Sequence, residues 1–329
     1  MDLLINLGML ILGFVLLIKG ADFFVDGSSS IAKRYHVPTI IIGLTIVAMG
    51  TSLPETAVSV TASIAGNNSL AVSNAVGSNI FNLVVVIGFC GLMTPVKVKD
   101  QTIKRDIPLS VGCAVLLLAF GLFAVGDNRK LSLGHIEGLI MIVIFSVYLF
   151  AMIKIALNAK KNSDNVQNDD SSAVNTKIRS IPVSILFILG GAAAIAIGGD
   201  FTVDAASEIA VSFGMSETLV GLTIVSIGTS LPELVTSVIA AKKDEIDMAL
   251  GNAVGSNIFN ILMVLGIASA INPIVFIQEN IIDITILLVF SVIVWIFAIT
   301  NKKIQKAEPI IMILMYVGYA GYIIARNYM

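Results

Sequence analysis

Apolar residues run along this chain in long blocks instead of alternating with polar ones. Most blocks approach the roughly 20 residues that a helix needs to cross a hydrocarbon core. Ten are read: 3–20, 38–64, 70–94, 107–125, 133–157, 181–198, 215–241, 247–271, 281–300 and 308–326. The connections between them are short, with one exception. Residues 158–180 (NAKKNSDNVQNDDSSAVNTKIRS) are polar and poor in aromatics, and read as a flexible linker. The first block has no basic segment ahead of it, and its first basic residue, Lys19, follows the apolar run. It therefore reads as a span and not as a cleaved leader.

Composition agrees. Hydrophobic residues make up 57% of the 329 residues and charged residues 13%, and the mean hydropathy is +0.96. A soluble domain carries about 25% charged residues. The reading is an all-α polytopic membrane protein. Cys90 and Cys113 both sit in apolar runs, so no disulfide framework is implied. A net charge of −2 offers no basic footprint for nucleic acid.

Lysine and arginine set the expected orientation. With the 158–180 linker placed in the cytoplasm and the loops alternating from it, the opposite side holds only Arg129, Lys130 and Arg326. Every other lysine and arginine falls on the cytoplasmic side. Ten spans with both termini extracellular fit this split, and a shifted count would scramble it.

The chain also repeats itself. Residues 43–55 read GLTIVAMGTSLPE and residues 221–233 read GLTIVSIGTSLPE; NAVGSNIFN stands at both 74–82 and 252–260. The offset is 178 throughout, and it also carries Asp22 and Asp26 onto Asp200 and Asp204. The expected organisation is a five-helix repeat in 1–157, the linker, and a second repeat in 181–329. An odd number of spans per repeat forces the halves to insert in opposite directions, the plan of secondary transporters with a site at the midplane.

The repeated segments carry chemistry. Glu55 and Glu233 each follow Gly-Thr-Ser-Leu-Pro in an otherwise apolar span. A charged side chain there costs at least about 2.5–3.5 kcal/mol on insertion scales, which makes it a functional candidate by default. Small residues at close spacing could serve helix packing alone, but packing does not call for a carboxylate at matching depth in both halves. Pro54 and Pro232 lack an N–H and clash with the carbonyl four residues back, at Gly50 and Gly228, so carbonyls in 48–51 and 226–229 are expected to be released. Opened backbone at membrane depth must be buried or line a polar cavity. Asn74, Ser78 and Asn82 share one helical face, as do Asn252, Ser256 and Asn260. Ser52 and Ser230 can share the face of the glutamate three residues on.

This set offers carboxylate, hydroxyl, amide and carbonyl oxygens and no Cys or His, which disfavours zinc and copper. His36 and His135 lie near span ends and read as interfacial. Two glutamates are neutralised by one divalent or two monovalent cations. Flexible oxygen ligands suit calcium better than magnesium, and the same oxygens can hold sodium. Competition for one pair of carboxylates is a physical basis for antiport.

With both copies present, the GTSLPE and GNAVGSNIFN-type segments resemble the α-repeats of the calcium/cation antiporter superfamily, and within it the prokaryotic sodium/calcium exchangers. The resemblance covers nearly the whole chain. It implies an ion cluster at Glu55 and Glu233. It places hydroxyl ligands at Thr51, Ser52, Thr229, Ser230, Ser78 and Ser256, and paired amide positions at Asn82 and Asn260. Carbonyl ligands fall at Ala48 and Ser226 and at the two threonines. Potassium-dependent relatives carry an acid where this chain has Asn82 or Asn260, which argues against potassium cotransport. Proton/calcium relatives show a different sequence before the glutamate, so GTSLPE favours sodium.

The expectation is alternating-access exchange of sodium for calcium across a plasma membrane. The first and sixth spans would slide as a gating pair, a point taken from the resemblance. The implied partners are the two ions and the lipid bilayer, with no cofactor. Proton/calcium antiport on the same scaffold is the alternative. A passive channel would need pore-lining charge rings, and an enzyme a nucleophile–base pair; neither is evident.

Overall fold

The computed structural model describes residues 3–66, 68–123, 131–165, 178–215, 224 and 226–328. The described residues are almost wholly helical. We label α1 (Leu3–Arg34), α2 (Thr39–Thr51), α3 (Leu53–Ile64), α4 (Leu70–Met93), α5 (Thr102–Leu122), α6 (His135–Asn165), α7 (Ile181–Ser212), α8 (Ser226–Gly228), α9 (Leu231–Lys242), α10 (Ile246–Ile271), α11 (Gln278–Asn301) and α12 (Glu308–Tyr328). Eight of these are long and apolar enough to span a bilayer. A ninth span is the pair α2–α3, which bends by 50° at a short break. Part of the expected 215–241 span, including 216–223, lies outside the described residues.

Two of the helices form the centre. The most apolar stretches of α4 and α10 are each 78% buried, whereas no other long helix exceeds 39%. Ala71, Val72, Ala75, Val76 and Ile80 of α4 and Leu250, Ala253, Val254 and Ile258 of α10 are all buried. Helices sunk among others are apolar on most sides, and the buried polar side chains these two carry, Ser78, Asn79 and Asn82 and Ser256, Asn257 and Asn260, therefore face the interior and not water. The outer helices instead turn Leu, Ile, Val and Phe outward, as at Phe150, Leu186 and Leu189, which suits a hydrocarbon solvent.

Helices α1 and α7 are 32 residues each, much longer than the expected 3–20 and 181–198. A hydropathy window stops where Lys19 and Asp200 enter, but a helix continues as long as its backbone bonds do. They pack antiparallel along small residues. Gly13, Gly20 and Gly27 recur every seven residues and face Gly198, Gly191 and Ser184. A Cβ on Gly198 would stand 2.7 Å from the Leu17 amide nitrogen. Close backbone approach of this kind is how transmembrane helices associate. Helix α6 likewise runs on to Asn165, past the expected end at 157.

Pro54 and Pro232 stand where one helix ends and another begins. Each lies in the first turn of a new one, α3 or α9, where a missing N–H costs nothing. The break falls at Ser52, with φ −84° and ψ 15°, and at Ser230, with φ −94° and ψ 4°.

Two short antiparallel ladders tie distant parts of the chain together. Strand β1 (Val96–Lys97) pairs with β4 (Lys303–Ile304), and β2 (Ser132–Leu133) with β3 (Ile274–Val275). An ion-pair cluster holds the basic end of α1. Lys243 lies 2.6 Å from both Asp22 and Asp26, Arg179 lies 3.0 Å from Asp26, and Glu245 takes Lys33 at 2.9 Å.

Candidate functional site

The two glutamates meet at the centre of the bundle. Glu55 stands in the first turn of α3 and Glu233 in the first turn of α9. Both are wholly buried. Each accepts a hydroxyl from the other copy of the motif: Ser52 Oγ donates to Glu233 Oε1 at 2.7 Å, and Ser230 Oγ donates to Glu55 Oε1 at 3.3 Å. Ser256 Oγ also reaches Glu233 Oε1, at 3.4 Å. The second oxygen of each carboxylate, Oε2, is buried with no protein partner.

Around them the expected polar set converges. Thr51 Oγ1 donates to Asn252 Oδ1 at 3.0 Å, and Thr229 Oγ1 reaches Asn74 Oδ1 at 3.5 Å. The amides of Asn74 and Asn252 then hold the glutamate turns. Asn74 Nδ2 donates to the Glu55 carbonyl at 3.3 Å and to Ser59 Oγ at 2.9 Å; Asn252 Nδ2 donates to the Glu233 carbonyl at 3.4 Å and to Ser237 Oγ at 2.9 Å. Every one of these partners is displaced from its counterpart by the sequence offset, so the duplicated motif builds duplicated contacts.

The remaining expected residues are placed as follows. Ser78 Oγ, both amide atoms of Asn82, and Asn260 Oδ1 are buried without a protein partner. The Ala48 carbonyl is not released, contrary to expectation. It accepts the Ser52 N–H at 3.1 Å, and Thr51 Oγ1 and Ser256 Oγ approach it at 3.3 and 3.5 Å. The reason is the break at Ser52, which lets α2 complete its own last turn. Ser226 opens α8; its side chain lies outside the described residues.

Several features escape a periodicity reading. Asn82 and Asn260 each open a π-helical turn, Asn82–Val86 and Asn260–Leu265; such turns recur at functional sites. Ser59 and Ser237 brace the asparagines from the second turn of α3 and α9. Asn79 and Asn257 clasp each other across the centre, each Nδ2 donating to the other's backbone carbonyl at 3.1 Å. All but Ser59 and Ser237 stand inside the repeated NAVGSNIFN segments, which is the signal that could have found them.

The orphaned oxygens decide what this place can do. A buried polar atom left unpaired costs about 1–3 kcal/mol, more if charged, and here several sit together on one cluster of hydroxyls, amides and carboxylates. Oxygen-only donors suit a hard cation. Among the described residues no group of three or more His, Cys, Asp or Glu is placed to hold a metal. A cavity of about 420 Å³ borders this cluster at Thr229 and is lined also by Pro54 and Pro232 and by Gly199, Asp200 and Asp204 of α7.

A polytopic helical membrane protein with a buried, duplicated oxygen site is a transporter in class. The chain belongs to the sodium/calcium exchanger protein family, whose profile matches residues 5–154 and 183–325. The sodium/calcium exchanger MaX1 of Methanosarcina acetivorans is 33% identical over 340 residues, covering 96% of this chain and 97% of that one. CaxA of Alkalimonas amylolytica is 43% identical over 263 residues, or 80% of each chain. A solved structure of the sodium-calcium exchanger NCX_Mj, soaked without sodium and calcium, superposes with a TM-score of 0.82 at 28% identity, over 98% of this chain and 100% of that one.

Proposed function

We propose that this protein is a secondary antiporter that exchanges sodium for calcium by alternating access. The observation that carries this is the pair of buried glutamates, each with one oxygen held by the opposite motif and the other oxygen unpartnered. Calcium would be bridged by Glu55 and Glu233, with carbonyls of Thr51 and Thr229 completing its shell. Sodium would use overlapping positions among Ser52, Ser230, Ser78, Ser256, Asn82, Asn260, the Ser226 carbonyl and the second lone pair of the Ala48 carbonyl, whose first takes the Ser52 N–H. Two negative charges in a low-dielectric core resist crossing the bilayer empty, which couples the two fluxes.

The same reading organises the chain as ten spans in two inverted five-helix repeats, 1–157 and 181–329. The 158–180 linker is cytoplasmic, both termini are extracellular, and the membrane is the plasma membrane. The duplicated contacts at one sequence offset support it, as does the asymmetry of lysine and arginine. On this orientation the Asp22–Asp26–Lys243–Arg179 cluster closes the cytoplasmic end, and the cavity beside Asp200 and Asp204 opens outward. The names of MaX1 and NCX_Mj point to sodium as the driving ion.

The test is calcium uptake into proteoliposomes with sodium, potassium and proton gradients imposed one at a time. An outward sodium gradient should drive uptake, and Glu55→Gln and Glu233→Gln should abolish it. Uptake driven by a pH gradient in sodium-free buffer would identify proton antiport instead. Full transport by Glu55→Gln would refute the site.

A further inference from the structure

The duplicated site is not symmetric at its amides. Asn260 and Asn82 occupy equivalent positions, yet only Asn260 is held: its Nδ2 donates to Asn79 Oδ1 at 3.2 Å. The Asn79 side chain can present nothing else there. Its own Nδ2 is turned to the Asn257 carbonyl, 3.1 Å away, so its oxygen is the end left to face Asn260. Asn260 must answer with its NH₂, because an amide oxygen set against another oxygen is repelled. That leaves Asn260 Oδ1 as the free end, buried and without a protein partner. On the other side, Asn257 Oδ1 and both amide atoms of Asn82 have no partner. A cation accepts an amide oxygen and not an amide NH₂, so the orientation of such a group decides whether it can serve as a ligand.

We infer that Asn79 is a positioning residue for ion binding, fixing the Asn260 amide with its oxygen available to the cation while the Asn82 amide stays free to turn. The inference rests on the reading of Asn260 as an ion ligand. It makes the two halves unequal in use: one amide is preorganised as an oxygen donor, the other adapts to the ion present. Preorganisation of this kind lowers the cost of ordering the ligand on binding. Asn79 itself contributes no free atom to the ion, since both ends of its amide are engaged.

The mutual clasp of Asn79 and Asn257 supplies a matched control. Asn79→Ala and Asn257→Ala each remove one Nδ2–carbonyl bond across the centre, but only Asn79→Ala removes the acceptor for Asn260. KM for calcium and for sodium, and kcat, would be measured by exchange in proteoliposomes for both, for Asn260→Ala, and for the double variant Asn79→Ala/Asn260→Ala. Asn79→Ala should raise KM about fivefold, the worth of one net hydrogen bond, with a smaller change in kcat. Asn257→Ala should raise KM by less than about twofold. The double variant should bind no more weakly than Asn260→Ala alone, because residues acting through one another are not additive.

Equal KM effects of the two asparagine variants, or additive effects in the double, would overturn the inference. So would loss of folded protein in both Asn79→Ala and the nearly isosteric Asn79→Leu while Asn257→Ala folds, which would assign Asn79 to the scaffold alone. If Asn260→Ala leaves KM for both ions unchanged, Asn260 is not a ligand. The site reading and this inference then fall together, and the first three outcomes leave the site reading standing.

Discussion

Ser52 Oγ donates to Glu233 Oε1 across 2.7 Å, although the two residues are 181 positions apart. Ser52 is also the residue at which the α2–α3 span breaks. The backbone discontinuity and the contact between the two motif copies thus coincide. A hydrogen bond to a charged group is worth about 1.5–3 kcal/mol. We expect Ser52→Ala to weaken apparent ion affinity roughly ten- to hundredfold, and Ser230→Ala, whose bond to Glu55 is 3.3 Å, to do less. Flux titrations in proteoliposomes rank the two; equal losses would show that bond length is not what matters.

Helix α7 holds two glycines, Gly190 and Gly198, in opposite settings. A Cβ on Gly198 meets the Leu17 nitrogen at 2.7 Å and the Gly13 carbonyl at 2.8 Å, whereas one on Gly190 meets nothing within 4 Å. Gly198→Ala should therefore force α1 and α7 apart, at about 1–3 kcal/mol, and slow transport. Gly190→Ala should change neither flux nor melting. Thermal unfolding in detergent, paired with flux, separates these outcomes.

Lys243 is the hub of the ion pairs at the basic end of α1, since it serves both Asp22 and Asp26. Lys243→Met should loosen that end even though Arg179 remains on Asp26. A reporter is available because Cys90 and Cys113 are buried. Ala32→Cys, at a fully buried position of α1, should label slowly with maleimide in the native background and faster when combined with Lys243→Met. Unchanged labelling would deny the cluster a role in closure.

The Lys302 ammonium, 2.8 Å from Asp100, holds that carboxyl below the usual carboxylate range. A depressed acid stabilises the fold above its ordinary titration range and loses that contribution as pH falls through its lowered value. Both side chains are more than half exposed, and exposed pairs are screened. Asp100→Asn should leave melting unchanged in physiological salt, with any difference confined to low ionic strength and vanishing in acid.

How much of this was legible in the chain depends on the kind of signal. Glu55 and Glu233 stand out because a carboxylate in an apolar run is costly and here occurs twice in one motif. Asn79 and Asn257 do not stand out, although they lie beside Ser78 and Ser256. The face through Asn74, Ser78 and Asn82 is found by helical spacing, but Asn79 points off that face toward its counterpart. A contact between two copies across the centre has no periodicity to reveal it. The reach of α1 beyond Lys19 was hidden for another reason. Asp22 and Asp26 look like terminators until Lys243 and Arg179, far along the chain, are seen to neutralise them. The clash of Pro54 with the Gly50 carbonyl marks the interruption of the helix but not its exact place, which the structure sets at Ser52, so that the Ala48 carbonyl keeps its bond to the Ser52 N–H.

The β1–β4 and β2–β3 ladders have a last implication. Each joins a strand before the linker to one after it, so neither copy has its own seams sealed. Cut between the copies and produced from two separate messages, the polypeptide should gain function only when both fragments are present in the same bilayer. Each fragment alone would display raw strand edges and half of an oxygen cage, and should be cleared by cellular quality control before it could act.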